Sequence, residues 1–182
     1  MGWIGRLLGA VPKEEMQGVH LDLTQPYWEV QGPKTFRDLF VAIRGWFPED
    51  AILYFEGGYE GSEIHDFMVK YAIKERTHIA LGTIWPRPKV FHVPATDVIL
   101  TELIGIAEHH AEPELAVHFH IYRNDTVLLE WHDAFDQPML INGEITVDQI
   151  KALCGKFGTN FKRIVEQGVP ADAARQNRGQ RR

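Results

Sequence analysis

Short apolar stretches of strand length alternate along this chain with segments whose apolar residues fall three and four apart. That alternation governs what the chain can fold into. Phe36, Leu39, Phe40, Ile43 and Phe47 lie on one helical face, opened by Thr35 with Asp38 in a capping-box arrangement and stopped by Gly45 and Pro48. Ala51–Phe55 is a short apolar run between turn residues and predicts a buried strand. Ser62 then caps a helix with Ile64, Phe67, Met68 and Tyr71 inward, and Ile79 to Trp85 and Lys89 to Val93 read as strands. Thr96 opens a third helix carrying Ile99, Leu103, Ile106 and Ala107, which must end before Pro113.

The clearest hairpin follows, Leu115 to Tyr122 and Val127 to His132, joined at Asn124–Asp125, with a short strand at Met139–Ile141. Thr146 and Gln149 form a second capping box for a helix with Val147, Ile150, Leu153, Cys154 and Phe157 inward, a face that Phe161 and Ile164 extend. Helix and strand alternate early, and hairpins come late. The expected fold is α/β with α+β character: one mixed, largely antiparallel sheet of five or six strands with about four helices packed on it. The expected organisation is an N-terminal arm over residues 1–32, a single domain over 33–168 and a disordered basic tail over 169–182.

Composition removes several classes. With 182 residues, the chain can bury a sizeable core without a disulfide or metal. Cys154 is the only cysteine, which excludes an internal disulfide and a Cys-based zinc finger. The longest apolar runs, such as Val98–Leu100, fall far short of the roughly 20 residues that span a bilayer. Met1–Ala10 matches neither a secretory signal nor a myristoylation site, because Arg6 interrupts its apolar part, so the expectation is a cytoplasmic protein. Trp3, Ile4, Leu7 and Leu8 would dock such an arm on the domain. Residues 1–150 hold 11 Lys and Arg against 23 Asp and Glu, whereas residues 151–182 hold 8 against 2. An acidic body repels phosphates, which argues against a nucleic-acid-binding core.

Two clusters carry candidate chemistry. His118 and His120 are two apart on one predicted strand, and Glu130 and His132 have the same relation on the next, so each pair shares a face. A two-residue loop at Asn124–Asp125 sets His120 opposite Leu129 and separates the pairs. A three-residue loop or a bulge sets His120 opposite Glu130 and His118 opposite His132, bringing all four onto one face. Apolar segregation favours the second register and the Asn–Asp dipeptide the first. Converged, His118, His120, Glu130 and His132 are ligand types for zinc or iron. The cupin pattern is missing, because Asn124–Asp125 stands where its Glu is needed.

The second cluster is the glycine-rich loop Phe55–Ser62 with Trp85–Pro86–Arg87–Pro88. The loop lacks the Lys–Ser/Thr ending of a P-loop, and its glutamates repel phosphate. Glu56, Tyr59, Glu60 and Glu63, with Trp85 and Arg87, instead suit a surface for another protein, one of basic character. No hydrolase signature surrounds Ser62 or Cys154. The first expectation is thus a small cytosolic acidic protein-binding module with no cofactor. It shares size and acidity with bacterial immunity proteins and antitoxins, a likeness of class rather than motif; an accessory subunit has the same traits. The alternative is a metal-dependent enzyme, using zinc or iron on the histidine hairpin.

Overall fold

The computed structural model describes residues 17–58 and 61–165. In chain order its elements are β1 (Tyr27–Val30), α1 (Phe36–Ile43), β2 (Ile52–Glu56), α2 (Ser62–Tyr71), β3 (Val90–Pro94), α3 (Asp97–Ala107), β4 (His118–Arg123), β5 (Thr126–Trp131), β6 (Met139–Asn142), α4 (Val147–Phe157) and β7 (Phe161–Ile164). Thr35, Thr96 and Thr146 cap α1, α3 and α4 through their hydroxyls, each accepting an amide of the first turn that has no partner inside the helix. Thr146 and Gln149 complete a reciprocal capping box. Gly61, not Ser62, is the N-cap of α2.

The seven strands form one antiparallel sheet in the order β3-β2-β4-β5-β6-β1-β7. Two of them were not expected as strands. Tyr27–Val30, placed by the sequence in an arm, lies inside the sheet between β6 and β7. Phe161–Ile164 does not prolong the last helix. Gly158 ends α4 with φ of +66°, a left-handed conformation that glycine adopts without a Cβ clash. Beyond it, Phe161 packs edge-on against Trp28. In the other direction, Ile79 to Trp85 is not a strand. Ile79 makes one isolated bridge to Val19, and Gly82 and Thr83 spend their amides on a buried side chain rather than on a ladder.

Strand alternation divides the buried residues in two. One face of the sheet, with Leu53, Phe55, Phe119, Ile121, Leu129 and Trp131, meets Phe36, Phe40, Phe67, Leu103 and Leu153 from all four helices in a single core. Among the described residues, the other face carries no helix. A second, smaller apolar cluster of Leu21, Ile52, Tyr54, Ile79, Tyr122 and Val127 lies there, under the irregular segments that precede β1 and β3. Among the described residues, no helix is long and apolar enough to cross a membrane. The predicted arm contacts of Trp3, Ile4, Leu7 and Leu8, and the tail over 169–182, lie outside the described residues.

Candidate metal centre

The β4–β5 hairpin satisfies both turn chemistry and apolar segregation. Around Asn124, whose φ is +50°, Tyr122 pairs with Val127, as a two-residue loop requires. Leu128 is then bulged, and from Ile121 inward the pairing becomes Ile121 with Leu129 and His120 with Glu130. The bulge keeps Phe119, Ile121, Leu129 and Trp131 in the core and turns the histidines and Glu130 to the helix-free face. Next door, β2 pairs Tyr54 with His120 and Glu56 with His118. The result is a row of polar side chains beneath cover. His118, His120, Glu130, Glu56 and Tyr54 are all buried.

Each of these groups has a defined environment. Glu130 Oε2 accepts the Leu21 amide at 2.6 Å, and its Oε1 accepts from His132 Nε2 at 3.1 Å. Burial disfavours the Glu130 carboxylate, but the bonds from His132 and Leu21 outweigh it and hold the carboxyl below its ordinary range. The same bond raises His132 against the opposing effect of burial and favours its charged form beside Glu130. His120 has no such partner. Its Nδ1 accepts the Trp131 amide at 3.3 Å, while Nε2 is buried without a partner among the described residues. Burial in the first place, and His132 in the second, push its pKa down to about 3, leaving the ring neutral. The Tyr54 ring stacks on it with centroids 5.1 Å apart.

One donor atom from each of His120, Glu130 and His132 lies within 4.8 Å of the others. An ion bound at about 2.0–2.2 Å needs donors roughly 3.4 Å apart, so small side-chain rotations complete the set. Two imidazoles and a carboxylate suit zinc or iron(II) and leave a coordination position open. His132, with 38% of its side chain exposed, marks the open side. His118, predicted as a fourth ligand, is not in this set. Its Nδ1 accepts the Asp133 amide at 3.0 Å, and its Nε2 lies 3.1 Å from Thr83 Oγ1. A cleft of about 720 Å³ between β7 and the β5–β6 loop is lined by none of these residues.

Among the residues predicted to form a partner surface, Glu56 does not reach the surface. Glu56 is completely buried, which corrects its placement on an exposed acidic loop. Its carboxylate accepts Tyr54 Oη at 2.7 Å, Gly82 N at 3.0 Å and Thr83 N at 2.6 Å, because a carboxylate at the end of a covered strand must find donors. Glu63 stands on α2, exposed and bonded to His110 Nε2 at 3.1 Å. Trp85 and Arg87 are exposed on the segment leading to β3. Tyr59 and Glu60 lie outside the described residues. Sequence reasoning missed Tyr54, Leu21, Gly82 and Thr83 as parts of the centre. The i, i+2 spacing of Tyr54 and Glu56 was the available signal, hidden inside an apolar run. No protein-family profile, curated protein or solved structure matches this chain.

Proposed function

We propose that this chain binds a divalent transition metal, zinc or iron(II), through His120, Glu130 and His132, as a centre for metal-assisted chemistry. The observation that carries the reading is the convergence of one donor atom from each of His120, Glu130 and His132 within 4.8 Å of one another, two of the three residues being buried. The ion takes the place of the proton that His132 shares with Glu130, so binding releases protons. Because His120 Nδ1 accepts the Trp131 amide, the neutral ring carries its proton on Nε2; ligation through Nε2 displaces that proton to Nδ1 and requires the ring to turn away from the Trp131 N–H. The open fourth position, on the His132 side, is where a water or a substrate oxygen would be polarised.

Metal analysis of untagged protein grown with added zinc and iron tests the reading. About one equivalent should be present in the wild type and be lost in His120→Ala and in Glu130→Gln. Metal-free wild-type protein, or equal metal content in all three, overturns it.

A second reading, a cytoplasmic protein-binding module of the immunity or antitoxin kind or an accessory subunit, is favoured by one observation. Ile84 and Trp85 expose 54% and 64% of their surface on the turn before β3. Large exposed apolar groups beside an arginine are frequent interface anchors, and the acidic body would attract a basic partner. If a protein co-purifies with the native chain, Trp85→Ala should speed its dissociation. An unchanged dissociation rate removes that role for the turn.

A further inference from the structure

We infer that His118, held by Thr83 and Glu56, is not a metal ligand but the positioning residue that presents His132 to the metal in the correct tautomer. The inference rests on the metal reading above, and its geometry is local. Each His118 nitrogen already has a partner. Nδ1 accepts the Asp133 amide at 3.0 Å, so it carries the lone pair and the ring proton sits on Nε2. Nε2 then donates to Thr83 Oγ1 at 3.1 Å. The hydrogen-bond pattern therefore assigns His118 one tautomer.

That lone pair has a second neighbour. His132 Nδ1 lies 3.4 Å from His118 Nδ1. Two lone pairs facing each other would repel, so His132 is favoured with its proton on Nδ1, directed at His118. Its Nε2, which bonds Glu130 in the absence of metal, is then the nitrogen that ligates once the ion displaces that proton. A ligating histidine characteristically donates its other N–H to an acceptor in this way, which sets both tautomer and ring angle.

The remaining residues explain why His118 stays in place. Glu56 accepts the amides of Gly82 and Thr83, fixing the turn that carries the Thr83 hydroxyl. Glu56 Oε1 itself lies 3.9 Å from His118 Nε2. Gly82 packs against the imidazole so closely that a Cβ there would stand 2.7 Å from the ring. Two residues thus take roles different from those their sequence positions suggested. His118 acts through His132, and Glu56 acts through the turn on His118.

Zinc titrations of the full chain with His118→Asn and His118→Gln separate the roles. Asn places its Oδ1 where Nδ1 stands and still accepts from His132. Gln reaches toward Thr83 and leaves the Nδ1 position without an acceptor. Asn should bind zinc within about threefold of wild type, and Gln should bind about tenfold or more weakly, the usual size of an outer-shell loss. Cobalt(II) loaded in place of zinc should show the same visible band positions in both variants, because the ligands are unchanged. Thr83→Val, which replaces the hydroxyl by a methyl group, should weaken zinc in the same direction as Gln. Equal zinc affinity in wild type, Asn and Gln overturns the inference and leaves the metal reading standing. Asn as weak as Gln, or a shifted cobalt spectrum, overturns it by making His118 a ligand. Wild-type protein that takes up no zinc overturns the metal reading and this inference with it.

Discussion

Three histidines within contact of one another differ in state because their neighbours differ. His132 is raised by its bond to Glu130, whereas His118 and His120 are lowered, burial being the largest cause for both. The His118 and His132 rings are 5.2 Å apart, and those of His120 and His132 are 4.7 Å apart. The sign of the pH dependence follows. Because His120 titrates near 3 when folded, the unfolded chain binds a proton there that the native one refuses, below an ordinary value of about 6.5. Stability from this group is therefore intact above that value and falls as the pH drops through it towards 3. His132 contributes oppositely, being stabilising at low pH and losing that contribution as the pH rises through its raised folded value. NMR of the metal-free protein checks the first statement: the His120 ring signals should stay fixed between about pH 5 and pH 8, across the range where histidine ordinarily titrates. A midpoint near 6.5 would show that the ring is not buried as described.

At the scale of elements, helix ends were readable and irregular strands were not. Caps are local: Thr146 and Gln149 meet three residues apart whatever else the chain does. Thr146→Ala should lower stability by about 1 kcal/mol in denaturant titration, as loss of an N-cap does. No loss would mean that the first turn of α4 is held by packing alone. The histidine hairpin was half readable. Apolar segregation and turn chemistry demanded different registers, and the choice of Leu128 as the bulged residue reconciles them. Ile79 to Trp85 carried strand-like residues, but a strand also needs an edge to pair with. This segment instead lies across the sheet, where its Gly82 and Thr83 amides satisfy Glu56.

For the whole molecule, local periodicity was sufficient to specify four helices, a largely antiparallel sheet and one main core. Phe36, Phe40, Leu53, Phe55, Phe67, Leu103, Phe119 and Leu153 were recognisable as core residues from their spacing, and all eight belong to one cluster. That much follows from the chain's own alternation, because an apolar stripe must be covered by something. What covers the other face depended on the tertiary structure. Both faces of the sheet are buried, one by helices and one by irregular chain around Leu21 and Ile79. Only that second cover makes the difference between a solvated row of histidines and a buried centre. It takes Glu56 out of a loop and into the interior, and it strips water from His120. Residue types and spacing place side chains on a face. Burial, which sets their charge states and leaves a nitrogen wanting a partner, depends on a segment about a hundred residues distant in the chain, as the bond from Leu21 to Glu130 shows.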